Sequence, residues 1–247
     1  MKIKRPLIAL DFPDGQAALT FLKQFPKDEQ LFVKVGMELF YSAGSDLVLQ
    51  LKDLGHDVFL DLKCHDIPHT VESAMRVLGK LHVDLTDVHA AGGLQMMQAA
   101  KEGLLDGAAG YKVPKLIAIT QLTSSDEALV KNEQLSAVSL NESVLNYARL
   151  TKKAGLDGVV CSAHEAAAIK AATSPDFLRV TPGIRLADNS KDDQKRVMTP
   201  NQAANNDASA IVVGRAITKA ADPVAAYDLV KKLWEGEQYW KQLQRIY

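Results

Sequence analysis

The sequence has little of several features that would assign it to a specialised class of protein. Its 247 residues include only two cysteines, Cys64 and Cys161, whose wide separation indicates neither a disulfide scaffold nor a cysteine metal site. No apolar run reaches transmembrane length, and the one near the amino end is too short for a signal peptide. The 29 Lys and Arg nearly balance the 30 Asp and Glu, so no basic excess favours nucleic acid or a membrane surface. These absences predict a cytoplasmic protein whose partners are small molecules.

The chain also lacks the glycine-rich sequences of nucleotide-binding open sheets, and no linker rich in proline and serine divides it. Short β-rich runs instead alternate with segments of helical periodicity. The runs cover residues 6–10, 31–35, 57–62, 85–90, 115–120, 158–162, 177–181 and 210–214. Eight such units predict an α/β fold, a single (β/α)8 TIM barrel that occupies residues 1–247 as one domain.

The segment DLKCHDIPHT, residues 61–70, concentrates charge directly after the third run. Asp61 and Lys63 are two residues apart, so in a strand they project to the same face. Asp66 follows where the strand should end, because Pro68 suits a first helical turn and cannot lie in a central strand. A structural ion pair followed by a helix-capping Asp66 would explain this pattern without any function. The alternative is an active site, since charge at the carboxyl end of a parallel strand is typical of one.

Polar residues also close most of the other runs, which favours the active site. They are Asp11, Lys34, His89, Thr120, Thr123, the segment 181–185, and Gly214 with Arg215. The carboxyl ends of the strands of such a barrel meet at one mouth, where the βα loops form the active site. We therefore expect these residues to converge on a single polar cavity at that mouth.

Two features at the end of the chain indicate a phosphorylated ligand. Gly214 ends the eighth run and lets backbone N–H groups approach an anion, while Arg215 supplies a planar cation. A tight turn with a solvated arginine is the alternative. The segment 182–200 is long, polar and charged, so it is either a lid or a disordered insertion, from which Arg185 and Gln194 could close on the anion.

The histidines are expected to have no metal-binding role. His65 and His69 are four residues apart, the spacing of a metal pair on a helix. Pro68 places the helix start between them, which argues against such a pair. His56 and His82 follow helix-like segments and are expected at the surface or as capping residues.

Four segments together resemble a known family. DLKCHDIPHT, TPGIR (181–185), DDQKRVMTP (192–200) and VGRAI (213–217), in this order, closely resemble bacterial orotidine 5′-phosphate decarboxylase, the last enzyme of uridine 5′-phosphate synthesis. The resemblance covers essentially the whole chain. It implies that the protein decarboxylates orotidine 5′-phosphate without a cofactor or a metal, as a homodimer with composite active sites.

The resemblance also implies roles for individual residues. The catalytic charges would be Lys34, Asp61, Lys63 and Asp66. The substrate-binding residues would be Asp11 and Lys34 at the ribose, Asp61 beside the leaving carboxylate, Thr70 from the neighbouring subunit, Thr123 at the pyrimidine edge, and Pro182, Arg185, Gln194, Gly214 and Arg215 around the pyrimidine and phosphate.

This chemistry suits the charged residues. Loss of carbon dioxide from orotate leaves electron density on a ring carbon with no adjacent carbonyl to accept it. An enzyme must therefore lower the activation barrier by an amount on the order of 20 kcal/mol. Lys63, kept as an ammonium by flanking carboxylates, could stabilise and then protonate that carbon. Two rivals stay open: a metal-dependent sugar-phosphate lyase or decarboxylase that shares the D-x-K-x-x-D pattern, and a barrel that binds a nucleotide without catalysis.

Overall fold

The structure is a computed structural model that describes residues 2–186 and 197–236. Eight parallel strands, β1 to β8, pair in sequence order, and β8 pairs with β1 to close the barrel. They are Leu7–Ala9, Phe32–Gly36, Asp57–Cys64, Leu85–His89, Lys115–Ile119, Gly158–Val160, Leu178–Thr181 and Ala210–Val213. The predicted (β/α)8 barrel is confirmed, and each of the eight predicted runs overlaps one strand.

Helices follow the strands and cover the outside of the barrel. In chain order, α1 to α10 are Gly15–Leu22, Met37–Asp53, Pro68–Gly79, Gly93–Ala108, Glu127–Asn132, Leu140–Lys153, Ala166–Ala172, Pro200–Asn205, Arg215–Thr218 and Pro223–Glu235. Among the described residues, no helix is both long enough and apolar enough to cross a bilayer.

The core has two layers because successive strand residues face opposite sides of the sheet. Alternate apolar residues fill the inside of the barrel: Leu7, Ala9, Phe32, Phe59, Leu85, Ile117, Leu178, Val180, Ala210 and Val212. The intervening residues pack against the helices in a second, larger cluster. Phe59 and Leu85 are paired in the sheet, so Asp61 and Asp87, each two residues further on, extend the inward face towards the mouth.

The first turn of α3 is where the sequence placed it, but its cap is different. Pro68 is the first helical residue, as predicted, whereas the N-cap is Ile67 and makes no side-chain capping bond. Asp66 lies one position too early to cap, and its Oδ1 accepts a hydrogen bond from the Ile67 N–H at 2.7 Å. The prediction that Asp66 caps the helix is therefore wrong. Its exposed carboxylate requires a different explanation.

The amino end of the barrel carries charge as well, which the sequence argument did not anticipate. Arg5 contacts Asp57, and Lys52 and Lys112 lie 2.5 and 3.1 Å from the carboxylate oxygens of Asp84. Each of these charges meets an opposite one close to the surface, which is the pattern of structural ion pairs. Charge at the end of a strand therefore marks the functional mouth only when it lines a cavity at the carboxyl end.

His56 belongs to this amino end and departs from its predicted position. It is 9 % exposed, and its Nδ1 accepts a hydrogen bond from the Leu31 N–H at 3.4 Å. Burial, followed by the charge of Arg5, lowers its pKa, which favours the neutral acceptor form. The prediction of a surface or capping residue is wrong for His56, whereas His82 is exposed as expected.

Candidate active site

A cavity of about 460 Å³ opens at the carboxyl mouth of the barrel, where the sequence predicted it. Its lining includes nine of the predicted site residues: Asp11, Lys34, Asp61, Lys63, Thr123, Pro182, Arg185, Gly214 and Arg215. Asp66 and Thr70 do not line it and are exposed. Gln194 lies outside the described residues.

Four side chains on one wall of the cavity alternate in charge, and we call Asp11, Lys34, Asp61 and Lys63 the charged row. The Lys34 Nζ lies 3.2 Å from Asp11 Oδ1 and 3.4 Å from Asp61 Oδ2. The other oxygen of Asp61 accepts a hydrogen bond from the Lys63 Nζ. Asp61 is thus held between two ammonium groups, one on each oxygen.

The protonation of the charged row follows from these contacts. Burial by itself would raise the pKa of Asp61, but Lys34, a hydrogen bond from Asp87 and Lys63 together bring it below its ordinary value. Burial would likewise lower the pKa of Lys34, but the charges of Asp61 and Asp11 raise it above its ordinary value. Both groups are therefore charged at neutral pH, although their side chains are largely buried.

The end of β2 leaves room for the charged row. A Cβ atom added to Gly36 would lie only 3.0 Å from the Lys34 Nζ and 3.8 Å from Asp11 Oδ1. Glycine at this position lets the lysine reach across to both carboxylates. Gly36 also pairs with Asp61 in the sheet, so the two strands hold Lys34 and Asp61 at a fixed separation.

Lys63 reaches Asp61 through an irregular backbone rather than through the regular strand that the sequence suggested. Its φ is 55°, and the pairing of β3 with β4 shifts register between Leu60 and Cys64. A non-glycine residue in this left-handed region costs about 1–2 kcal/mol and persists only where its surroundings hold it. The Lys63 N–H donates to Asp87 Oδ1 at 2.9 Å, which is one such support.

A second wall, which adjoins the Asp11 end of the charged row, is formed by the ends of β7 and β8 and is rich in donors for an anion. Pro182 and Arg185 follow β7, and Gly214 and Arg215 follow β8. Lys219, one turn after Arg215, adds a further cation that the sequence reading did not single out. Cations and an open glycine backbone at this end of a barrel are suited to a phosphate group.

The loop after β5 closes a third side of the cavity. Thr123 and Gln121 both line it. The side-chain amides of Gln121 and Gln134 bond to each other reciprocally, at 3.0 and 3.1 Å, and Gln121 also donates to the Ser143 hydroxyl at 3.1 Å. This amide pair joins the buried Gln121 to the exposed Gln134 and fixes the start of the loop. It had no signal in the sequence beyond the place of Gln121 after a strand.

The two ends of the long segment after β7 are joined to each other. Arg185 N–H donates to the Met198 carbonyl at 3.0 Å, and Met198 N–H donates to the Gly183 carbonyl at 3.2 Å. These two hydrogen bonds hold the described ends of the segment together beside the cavity. Residues 187–196 lie outside the described residues, so the prediction of a lid or a disordered insertion stays open.

The histidines beside Lys63 do not form the helical pair that their spacing would allow. Helix α3 begins between His65 and His69, as expected. The His65 ring packs instead near that of His89, with 5.6 Å between ring centroids. Within residues 2–186 and 197–236, no three His, Cys, Asp or Glu side chains cluster as metal ligands would.

Comparison with known proteins supplies the family. Residues 4–230 match the model of the orotidine 5′-phosphate decarboxylase / HUMPS family. Orotidine 5′-phosphate decarboxylase of Ligilactobacillus salivarius is 64% identical over 234 residues, which is 95% of this chain and 99% of that protein. The enzyme of the same name from Lactococcus lactis subsp. cremoris is 58% identical over 95% of this chain and 99% of its own length.

A solved structure agrees with both relatives. The crystal structure of orotidine 5′-phosphate decarboxylase from Lactobacillus acidophilus superposes with a TM-score of 0.85 at 44% identity, covering 94% of this chain and 99% of that one. The match thus extends over the barrel and over both walls of the cavity. On sequence, fold and the arrangement of its cavity, this chain belongs to the orotidine 5′-phosphate decarboxylase / HUMPS family.

Proposed function

We propose that this protein decarboxylates orotidine 5′-phosphate to uridine 5′-phosphate, the last step of de novo pyrimidine nucleotide synthesis. The observation that carries the proposal is the charged row on one wall of a cavity whose adjoining wall suits a phosphate. The relatives named for this activity support it, because they match nearly the whole chain.

In the proposed reaction, Lys63 provides both charge and a proton. Breaking the bond from C6 to the carboxylate leaves an electron pair on C6, and carbon dioxide departs. The Lys63 ammonium, which lines the cavity, stabilises that pair and then donates a proton to C6. No cofactor takes part in this scheme, because the electron pair is neutralised by the proton alone.

Asp61 and Lys34 prepare Lys63 for this step. The Asp61 carboxylate holds the Lys63 ammonium beside the reacting carbon and lies near the carboxylate that departs. Lys34 offsets part of the negative charge of Asp61 and keeps it ionised inside the protein. The row is thereby ordered before the substrate arrives, and preorganised charge of this kind is a large contribution to catalysis.

Binding energy comes from the far end of the substrate. The phosphate contacts the backbone at Gly214 and the guanidinium groups of Arg215 and Arg185, while Asp11 and Lys34 hold the ribose. Thr123 and Pro182 contact the pyrimidine. Contacts remote from C6 raise the rate when they are used to hold the reacting group against the charged row.

The active site is completed by a second copy of the chain. Asp66 and Thr70 are exposed and lie outside the cavity of their own chain, beside Ile67, whose apolar side chain is 66 % exposed. A two-fold contact through this face carries both residues to the partner's cavity, and burial of Ile67 stabilises the contact. On this view the protein is a homodimer with composite sites. Gln194, which lies outside the described residues, is the remaining predicted contact to the phosphate.

The reaction itself is the test of the proposed function. Purified protein incubated with orotidine 5′-phosphate should remove the absorbance of the orotate ring and form uridine 5′-phosphate. The rate should be unchanged by a chelator, since the scheme uses no metal. Turnover that stops with the chelator and returns with a divalent cation would favour a metal-dependent lyase, and binding of the nucleotide without turnover would favour a barrel that only binds.

Arg215→Ala should weaken turnover of orotidine 5′-phosphate by several kcal/mol in kcat/KM, because a charged contact to the phosphate is lost. Orotidine, which has no phosphate, should be affected hardly at all. Arg149→Ala, on the exposed side of α6, is the control and should leave both substrates unaffected. Equal losses on the two substrates in the Arg215 variant would mean that this residue acts on the structure instead.

A further inference from the structure

Asp87 is the most deeply buried acid near the charged row, and nothing in the scheme above uses it. It lies on β4 with no exposed surface, next to Asp61 on the inward face of the barrel. Its Oδ1 accepts the Lys63 N–H at 2.9 Å. Its Oδ2 is buried and has no donor among the described side chains and backbone groups. A buried carboxylate oxygen without a donor costs several kcal/mol, so the group requires an explanation.

A proton on Asp87 resolves this. Asp61 and Asp87 project inward from the neighbouring strands β3 and β4, and each shifts the pKa of the other. Two carboxylates placed in this way repel each other unless one of them is protonated. Asp61 receives two ammonium groups, whereas Asp87 receives one backbone N–H. The charge therefore resides on Asp61 and the proton on Asp87, whose Oδ2–H then donates to Asp61.

The surroundings of Asp87 agree with this assignment. Burial, followed by the charge of Asp61, raises the pKa of Asp87 well above its ordinary value, although Lys63 opposes the shift. Burial, followed by Asp87, also raises the pKa of the nearby Cys64 thiol, to about 11, so Cys64 supplies no charge. Within the part of the chain that the structure describes, the charged groups that shift the pKa of Asp87 are Asp61 and Lys63, both on β3.

We propose that Asp87 is a neutral positioning residue that holds both members of the Asp61–Lys63 pair. Through Oδ1 it supports the left-handed backbone of Lys63, and through its proton it orients Asp61 and stabilises its charge. It does not contact the cavity, so it acts on the substrate only through these two residues. The expected effect on kcat rests on the proposed function. The presence of the proton on Asp87 does not depend on that function.

Infrared spectroscopy tests the proton directly and requires no turnover. At about pH 8, far above the ordinary aspartate pKa of about 3.9, the wild-type protein should show the carbonyl band of a protonated carboxylic acid, shifted in D₂O. Asp87→Asn should remove the band. Asp84→Asn, a control on the approach to the same strand, should keep it, because Lys52, Lys112 and the Val58 N–H hold the Asp84 pKa low despite its burial. No such band in the wild type, or one that survives in Asp87→Asn, overturns the proposal.

Kinetics test the positioning. Asp87→Ala should lower kcat by about 10- to 100-fold, the effect of one lost buried hydrogen bond, with little change in the affinity for uridine 5′-phosphate. Asp87→Asn should restore most of that loss, since an amide also accepts from Lys63 and donates to Asp61. If the alanine variant does not fold, Asp87→Ser replaces it.

The outcomes are distinct. If kcat falls as much in Asp87→Asn as in Asp87→Ala, a negative charge at this position is required. If Asp87→Ala keeps the wild-type kcat, Asp87 does not position the Asp61–Lys63 pair. Either result overturns the proposal. If the wild-type protein does not decarboxylate orotidine 5′-phosphate at all, the proposed function fails, while the infrared comparison still decides whether Asp87 holds the proton.

Discussion

Replacing Lys63 with alanine should abolish decarboxylation while leaving a folded protein that binds uridine 5′-phosphate. In the proposed scheme the Lys63 ammonium, which lines the cavity, gives its proton to C6, whereas Lys34 lies between Asp11 and Asp61 and holds the ribose. The variant should therefore lose more than a hundredfold in kcat, which corresponds to more than ~3 kcal/mol. Product affinity should persist, because the phosphate and ribose contacts lie on other residues.

Turnover and product affinity are best measured on the same preparation. Lys115→Ala is a matched control, since this lysine begins β5 at the opposite end of the barrel, 3.4 Å from Asp157. It should turn over at the wild-type rate. A Lys63 variant that retains more than about a hundredth of that rate would show that Lys63 is not the proton donor.

Subunits with different lesions should restore each other's activity if the active site is composite. In the proposed dimer, Lys63 belongs to one subunit and Asp66 to the other at each site. Lys63→Ala and Asp66→Ala should each be nearly inactive alone. A mixed dimer holds one site with both lesions and one with neither, because a two-fold contact exchanges the same residues in both directions.

Equal amounts of the two variants, allowed to exchange, should recover about a quarter of the wild-type activity, since half the dimers are mixed and half their sites are intact. Native mass spectrometry confirms the exchange. Lys63→Ala mixed with Lys34→Ala is the control: both residues line the same chain's cavity, so a mixed dimer has no intact site and nothing should return. If exchange occurs and the Lys63 and Asp66 variants recover no activity, Asp66 acts within its own chain.

Much of the fold was predictable because it depends on local pattern. Short β-rich runs alternating with helical segments identified all eight strands, and Pro68 identified the start of α3. The polar residues at the strand ends were predictable for the same reason, since all parallel strands of a barrel end at one mouth. Domain extent over residues 1–247 stays a prediction, as do the individual roles of the site residues.

Sequence reasoning failed where a contact joins residues distant in the chain. Lys63 was expected in a regular strand, but its backbone is left-handed and is supported from β4. The sequence predicts only that Asp87 belongs to a β-rich run. A single Asp in such a run does not indicate that the carboxylate of Asp61, from another strand, lies beside it. The sequence predicts His56 at the surface, but the residue is buried and accepts a hydrogen bond from Leu31, which is 25 residues away along the chain.

The sequence by itself determined the period of the strands, the side of the sheet on which Asp61 projects, and the end of the barrel at which charge meets a cavity. These follow from residue spacing and from the single direction of parallel strands. Only the tertiary structure decided that Asp61 lies between two lysines and that Asp87 is buried against it. The protonation states of Asp61 and Asp87 depend on their burial and on the charges that lie beside them. Both depend in turn on the register between neighbouring strands, which cannot be deduced from a local sequence pattern.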